Sequence, residues 1–392
     1  MLKTNLKETF PPLFLLVNTL ALINLTWFIM QSIFSNEPIL AIEYYVSMVI
    51  SGFVGISLLR EKLRSKSNML CITLFGVLSY LLLSLFLENT PIIMALTLVL
   101  GIAYGLTTPT YLSFSAIYSE IERRGRLSGF LLFFTQFCMI AYCTLLRFNA
   151  SLMLLAIAGL KMINIVNLLL YKPLLNQSIN MTDRYKDATR NRSFVLYFVP
   201  WFMFCLVNYI EEPILRNAFG EETSQLYMIS AASAGISAFL GGYFCDLKGR
   251  KVVSILGFIL LGVSYGVLSF LNNFGMVKIF FMSINGIAWG MLYVIFVFVI
   301  WGDISEGRVR EPYYFLGNLP FLLSNIIYFT SEKSKVFNFI SLSTSFSIAS
   351  FFIFLAVVPL LYAPETLPER VIREKELRSY VEKAKRLVEK YS

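Results

Sequence analysis

Long apolar stretches, interrupted by short polar ones, run through nearly the whole of the 392-residue chain. An uncharged apolar run of 18 or more residues reads as a helix able to cross a bilayer. Twelve such spans can be drawn, over about 12–34, 38–60, 69–87, 91–118, 126–147, 150–171, 193–216, 222–245, 252–271, 275–301, 311–331 and 337–362. Proline and glycine inside several of them do not argue against helix, because membrane helices tolerate both. The first run follows MLKTNLKETFPP with no small-residue cleavage site, so it reads as a retained helix. The connections are short except for residues 172–192, a polar loop that divides the spans into two sets of six. After Pro364 the chain becomes charged, and Leu377, Tyr380, Ala384, Leu387 and Tyr391 recur every three or four residues, the pattern of an amphipathic helix lying on a membrane surface.

The expectation is an all-α membrane protein of twelve transmembrane helices: a six-helix bundle over 1–171, a central cytoplasmic loop over 172–192, a second bundle over 193–362 and an amphipathic tail over 363–392. Composition agrees. Hydrophobic residues make up 57% and charged ones 15%, against about 25% charged in soluble domains.

Charge orients the chain. With the N-terminus in the cytoplasm, 27 of the 33 lysines and arginines fall in cytoplasmic segments or the tail, and five at outer ends. This is the positive-inside pattern, and it places both termini in the cytoplasm. It also accounts for the net charge of +9, so nucleic-acid binding is not implied. The chain has no histidine, and its cysteines (Cys71, Cys138, Cys143, Cys205 and Cys245) show no metal-ligand spacing. No metal or cofactor is expected, and no nucleophile–base constellation suggests an enzyme.

The two sets of six look like copies. Gly101-Ile-Ala-Tyr-Gly105 in the fourth span matches Gly286-Ile-Ala-Trp-Gly290 in the tenth. Near the same offset Arg123 falls on Arg308, Gly55 on Gly241, Arg64 on Arg250 and Asn24 on Asn208. Repeats of this kind build many carriers, with a substrate site near the bilayer midplane where the repeats meet.

The stretch Gly242-Tyr-Phe-Cys-Asp246-Leu-Lys-Gly249-Arg250-Lys251 resembles the loop signature of the major facilitator superfamily, with Leu247 departing from the usual basic residue. The first-half counterpart is degenerate, with Arg60 where the acid should be. Glu120-Ile-Glu-Arg-Arg-Gly-Arg126 and Pro364-Glu-Thr366 are similar to pieces of the sugar-porter and organic-ion branch. The resemblance implies alternating access by two rocking bundles. It also implies a cavity lined by the first, fourth, seventh and tenth spans.

On those spans the candidate solute-binding residues are Asn24; Tyr104, Thr108 and Tyr111; Trp201 and Asn208; and Asn285, Trp289 and Tyr293. Amides among aromatic rings can stack on and hydrogen-bond an organic solute. The alternative, polar glue between helices, stays open for each of them. Lys161 joins the list because it lies mid-span, about 11 residues or roughly 16 Å from the cytoplasmic end. Glu43 and Glu211 are candidate coupling acids. The expected cargo is a small organic solute such as a sugar or organic acid, with protons a candidate co-substrate and a monomer in the bilayer the expected state. A non-transporting receptor or scaffold on the same fold is the rival reading.

The resemblance also implies a cytoplasmic gate, with Asp246, Gly249, Arg250 and Arg308 latching the end of the eighth span to the start of the eleventh. In the first half Arg60 and Arg64 would pair with Glu120 or Glu122, reversing the polarity of the latch.

Overall fold

The computed structural model describes residues 6–32, 37–59, 63, 65–145, 149–170, 185–271, 275–334 and 341–368, and every regular element among them is helical. The long helices are α1 (Leu6–Ser32), α2 (Pro38–Val54), α3 (Lys66–Leu85), α4 (Thr90–Ile117), α5 (Arg124–Leu145) and α6 (Ala150–Leu170). They continue with α7 (Arg192–Phe219), α8 (Thr223–Lys248), α9 (Arg250–Leu271), α10 (Gly275–Tyr293), α11 (Glu311–Ser334) and α12 (Leu342–Leu355). Two of them run on as π-helix, α2 through Gly55–Leu59 and α10 through Val294–Val299. Arg60, Arg64, the 171–184 part of the central loop and the tail beyond residue 368 lie outside the described residues.

Local chemistry sets several helix starts. Asn89 accepts from the Ile92 N–H at the start of α4, Asn191 from the Ser193 N–H at α7, and Ser341 from the Thr344 N–H at α12. Each satisfies one of the N–H groups that a first turn leaves without a partner. Ten helices among the described residues are long and apolar enough to cross a membrane. Neither α5 nor α11 is among them, and α11 carries Asn318, Asn325, Tyr313, Tyr314 and Tyr328. Large apolar side chains face outward on many helices, Leu85, Leu170, Phe270 and Met276 being almost fully exposed. Apolar surface on this scale is compatible with lipid and not with water. The chain is a multi-pass membrane protein.

Packing repeats along the chain. α2 packs on α4, and α8 on α10; α3 packs on α6, and α9 on α12; α1 packs on α5, and α7 on α11. Two further contacts join early helices to late ones, α5 with α8 and α2 with α11. The matched glycine motifs explain the first of these pairs. A Cβ on Gly101 would strike the Tyr44 carbonyl and Ser47, and one on Gly105 the Met48 carbonyl and Ser51. On α10 a Cβ on Gly286 would strike the Ser230 carbonyl and Ser233, and one on Gly290 the Ala234 carbonyl and Ser237. Each motif lays a bare backbone against a helix that presents serine at four-residue spacing, which allows close van der Waals approach. The serines return their hydroxyl protons to nearby carbonyls, Ser47 to Tyr44 at 2.8 Å and Ser237 to Ile287 at 2.9 Å.

Gly105→Leu and Gly290→Leu should each destabilise the protein by about 1–3 kcal/mol, because the added side chain meets backbone that cannot retreat. Gly159→Leu should be neutral, since nothing lies within 4 Å of a Cβ at that position. Thermal unfolding in detergent measures all three.

Candidate functional site

Two adjoining chambers lie among the helices and share Ile23, Asn24, Tyr293 and Phe321. The first is mostly apolar, walled by residues such as Leu20, Leu112, Phe298 and Phe315, with Thr108 and Asn318 among its few polar groups. The second is more polar and includes Gln136, Asn208, Glu212, Tyr227, Asn285 and Trp289.

Asn208 is the best-defined polar group. Its amide oxygen accepts from the Trp289 indole N–H at 3.2 Å and from the Tyr265 hydroxyl at 3.1 Å. With the oxygen engaged, the amide nitrogen is the group left to meet a ligand. The Trp289 ring is fixed edge-on against Phe204 and Tyr293, both with centroids 4.6 Å away. Three polar atoms on the chamber walls are buried without a hydrogen-bond partner: Asn285 Oδ1, the Trp27 indole nitrogen and Thr108 Oγ1. Buried polar atoms are nearly always satisfied, so these are natural contacts for a bound solute or the water it displaces.

Of the sequence candidates, Asn24, Thr108, Asn208, Asn285, Trp289 and Tyr293 line the chambers, and Tyr104, Tyr111, Trp201 and Lys161 do not. Tyr104 is fully buried, its hydroxyl 3.1 Å from that of Tyr80. Tyr111 packs against Phe114. Trp201 stacks on Phe296, with centroids 5.2 Å apart and planes 2° from parallel. Lys161 is interior as expected, but its ammonium sits over the Tyr104 ring, 3.6 Å from the centroid, with Tyr80 at 5.8 Å. Its neighbour Asn164 turns away to accept from Asn18 on α1 at 2.8 Å. Lys161 is therefore held by aromatic faces and not by the cavity. Glu43 is half-buried with one carboxylate oxygen unpartnered, and Glu211 accepts from Ser345 at 2.6 Å. Neither lines a chamber.

Buried charge clusters where α5, α8 and α9 meet. Asp246 accepts from the backbone N–H groups of Gly125 and Arg126, both at 2.9 Å, and pairs with Arg250 at 3.2 Å and Arg126 at 3.5 Å. The expected pairing of Asp246 with nearby arginines is present, and Asp246 in addition caps the start of α5. The reason lies in α5–α8 packing, where Gly125 and Gly242 let the two backbones come close enough for a short acid to reach the first turn. An acid there meets the positive end of the helix dipole and N–H groups with no intrahelical partner. Arg308 donates to the Tyr313 hydroxyl at 2.7 Å. Glu120 is exposed, and its proposed partners Arg60 and Arg64 lie outside the described residues.

Beside Asp246 stands a residue the sequence analysis passed over. Asp303, at the end of the tenth span, is paired with Arg124 and accepts from Arg250 Nε at 3.0 Å and from the Thr366 hydroxyl at 3.1 Å. Arg124, Arg250, Asp246 and Asp303 are all 0–1% exposed. Glu365 completes the closure by accepting from the N–H groups of Arg250 at 2.8 Å and Lys251 at 3.0 Å, which caps α9. Gly249, at φ 100°, makes the turn that brings these groups together. An acid in an apolar run is a functional signal by default, and Asp303 gave that signal. At the opposite end the contacts are aromatic and amide: Trp27 with Tyr328, centroids 6.0 Å apart, Tyr45 with Phe329 at 6.1 Å, and Arg216 donating to Gln31.

No family model matches the chain, and no curated protein does. Solved structures do. A proton:xylose symporter, XylE, bound to 6-bromo-6-deoxy-D-glucose superposes with a TM-score of 0.72 at 14% identity, over 92% of this chain and 97% of that one. The human organic anion transporter MFSD10 (TETRAN) gives 0.69 at 11% identity, over 91% and 98%. A double-tryptophan mutant of XylE gives 0.69 at 14%, over 94% and 98%.

Asp246→Asn should weaken the α5–α8 closure by about 1–3 kcal/mol, because the charge-assisted bonds to two backbone N–H groups and two guanidiniums are lost or weakened. Spin labels at the start of α5 and the end of α8 should report a longer mean distance. An unchanged distance distribution would show that helix packing alone holds this end.

Proposed function

We propose that this chain, which has the major facilitator fold, is a carrier that moves a small organic solute across a membrane by alternating access. The observation that carries the reading is a polar, aromatic chamber at the centre of a membrane-spanning fold, with unpartnered buried polar atoms on its walls and separable closures at its two ends. In this reading twelve helices form two six-helix bundles, over 1–171 and 193–362, joined by the 172–192 loop. The recurrence of the same packing pairs in each half supports it, as do the paired glycine motifs. The bundles meet along α5–α8 and α2–α11, and rocking about those contacts would open one end as it closes the other.

The positive-inside count places both termini and the Asp246–Asp303 cluster in the cytoplasm. In this reading the cytoplasmic end is held by paired charge, and the outer end by ring contacts and the Arg216–Gln31 bond. The difference matters mechanistically. The outer end has one charged donor, Arg216, to re-solvate on opening, whereas opening the cytoplasmic end exposes several paired arginines and acids that water must then solvate.

The test is counterflow in proteoliposomes with a panel of labelled cationic, anionic and neutral organic solutes. At least one should accumulate against its gradient only where the chain is present. Trp289→Ala should cut that uptake about tenfold or more, since the ring anchors Asn208 and walls the chamber. No counterflow with any solute would favour a non-transporting receptor or scaffold.

A further inference from the structure

The two chambers share their polar groups unequally. In the second, Asn285 Oδ1 and the Trp27 indole nitrogen are buried without a hydrogen-bond partner. The Asn208 oxygen there is engaged by Trp289 and Tyr265, which leaves its amide nitrogen to meet a ligand. In the first, the polar side chains mostly spend their protons on nearby backbone. Thr135 donates to the Leu131 carbonyl at 2.9 Å, Tyr314 to that of Phe298 at 2.6 Å, and Asn318 to that of Tyr314 at 2.9 Å. Thr108 is the exception, with an unpartnered hydroxyl oxygen. Most of that wall is apolar: Leu20 on α1, Leu112 on α4, Val297 and Phe298 on the π-helical stretch after α10, and Phe315 and Leu322 on α11. Asn24 and Tyr293 belong to both chambers, so one molecule can reach from one into the other.

We infer that the cargo is an amphipathic solute, whose compact polar head is hydrogen-bonded in the second chamber while an apolar body fills the first. The inference rests on the carrier reading and narrows it: of the expected sugars and organic acids it keeps only those that carry an apolar body. A free sugar has a hydroxyl on nearly every carbon. Seated in the first chamber, those hydroxyls would give up water for a wall that returns few hydrogen bonds, which opposes binding. A wholly apolar solute fails at the other end, where it would leave Asn285, Trp27 and the Asn208 amide unanswered. A molecule with one end of each kind satisfies both walls, and its apolar end gains from leaving water. Cargo therefore does not follow from the fold that this chain shares with a proton:xylose symporter.

The experiment uses pairs of probes that share a polar head and differ in the apolar body: glucose with phenyl glucoside, glycine with phenylalanine, acetate with biphenylcarboxylate, and tetramethylammonium with trimethylphenylammonium. Binding to the full chain is read by thermal stabilisation and tryptophan fluorescence, and transport by counterflow in proteoliposomes. In at least one pair the member with the body should bind about tenfold or more tightly. Thr108→Phe, which fills the first chamber, should abolish most of that gain. Leu322→Ala, which enlarges it, should shift the preference to a larger body, such as a biphenyl form of the same head. The variants act in opposite directions, so if one does not unfold cooperatively the other decides. Equal or tighter binding of the short member in every pair, a gain indifferent to the folded variants (the mark of partition into detergent), or no binding of any probe overturns the inference. Failure of the carrier reading looks different: the longer member would bind with the expected dependence on positions 108 and 322 but would not exchange across the bilayer. Counterflow of glucose, with phenyl glucoside no better, would leave the carrier standing and refute the amphipathic cargo.

Discussion

Asp303 sits between two guanidiniums that arrive from different parts of the chain, Arg124 from α5 and Arg250 from α9. All three are buried, and in a medium that cannot solvate charge none could be there without the others. The rest of that end follows from this requirement. Arg250 also holds Asp246 in place, Asp246 caps α5, and Glu365 caps α9 while Thr366 returns to Asp303. Asp246, Asp303, Arg124 and Arg250, with Glu365 beside them, thus tie helices from both halves and the segment after α12 into one knot. Removing any one member leaves another buried charge uncompensated, a larger penalty than any single hydrogen bond in the knot contributes.

The central chambers follow a different rule. Apart from Glu212, their polar groups are amides, hydroxyls and indoles, several held by bonds to neighbouring rings, and three atoms are left without partners. Asn208 is oriented by Trp289 and Tyr265, and Trp289 by Phe204 and Tyr293, so the wall is rigid even though it is incompletely bonded. A preorganised wall of this kind binds without first paying for its own ordering. The charged knot supplies a closure that water can compete for, and the chamber supplies a surface that a solute can complete.

Much of this was legible in the chain. Helix spans could be read because lipid demands uncharged runs of sufficient length, and the repeat could be read because close backbone contact restricts a position to glycine. Asn208, Asn285 and Trp289 were recognisable because amides and indoles stand out in apolar runs. What could not be read was which neighbour each polar residue meets. Lys161 was correctly placed inside the protein, but sequence cannot show that Tyr104 lies beneath it and that the chambers lie elsewhere. Asp246 was recognised as a latch, yet its partner is set by the Gly125–Gly242 approach of two helices more than a hundred residues apart. Asp303 stood out as an acid ending an apolar run, but the two arginines that pair with it are brought there only by folding.

The seat of Lys161 has a consequence for how the sequence can drift. Its aliphatic stem crosses α3 at Gly76, where a Cβ would meet Cε, so a side chain at 76 must push the end of Lys161 off its seat over Tyr104. The two sites are joined in one steric equation across an otherwise ordinary helix contact. Evolutionary descendants of this chain that enlarge residue 76 must displace or shorten residue 161, and in an alignment of close relatives the two positions should covary.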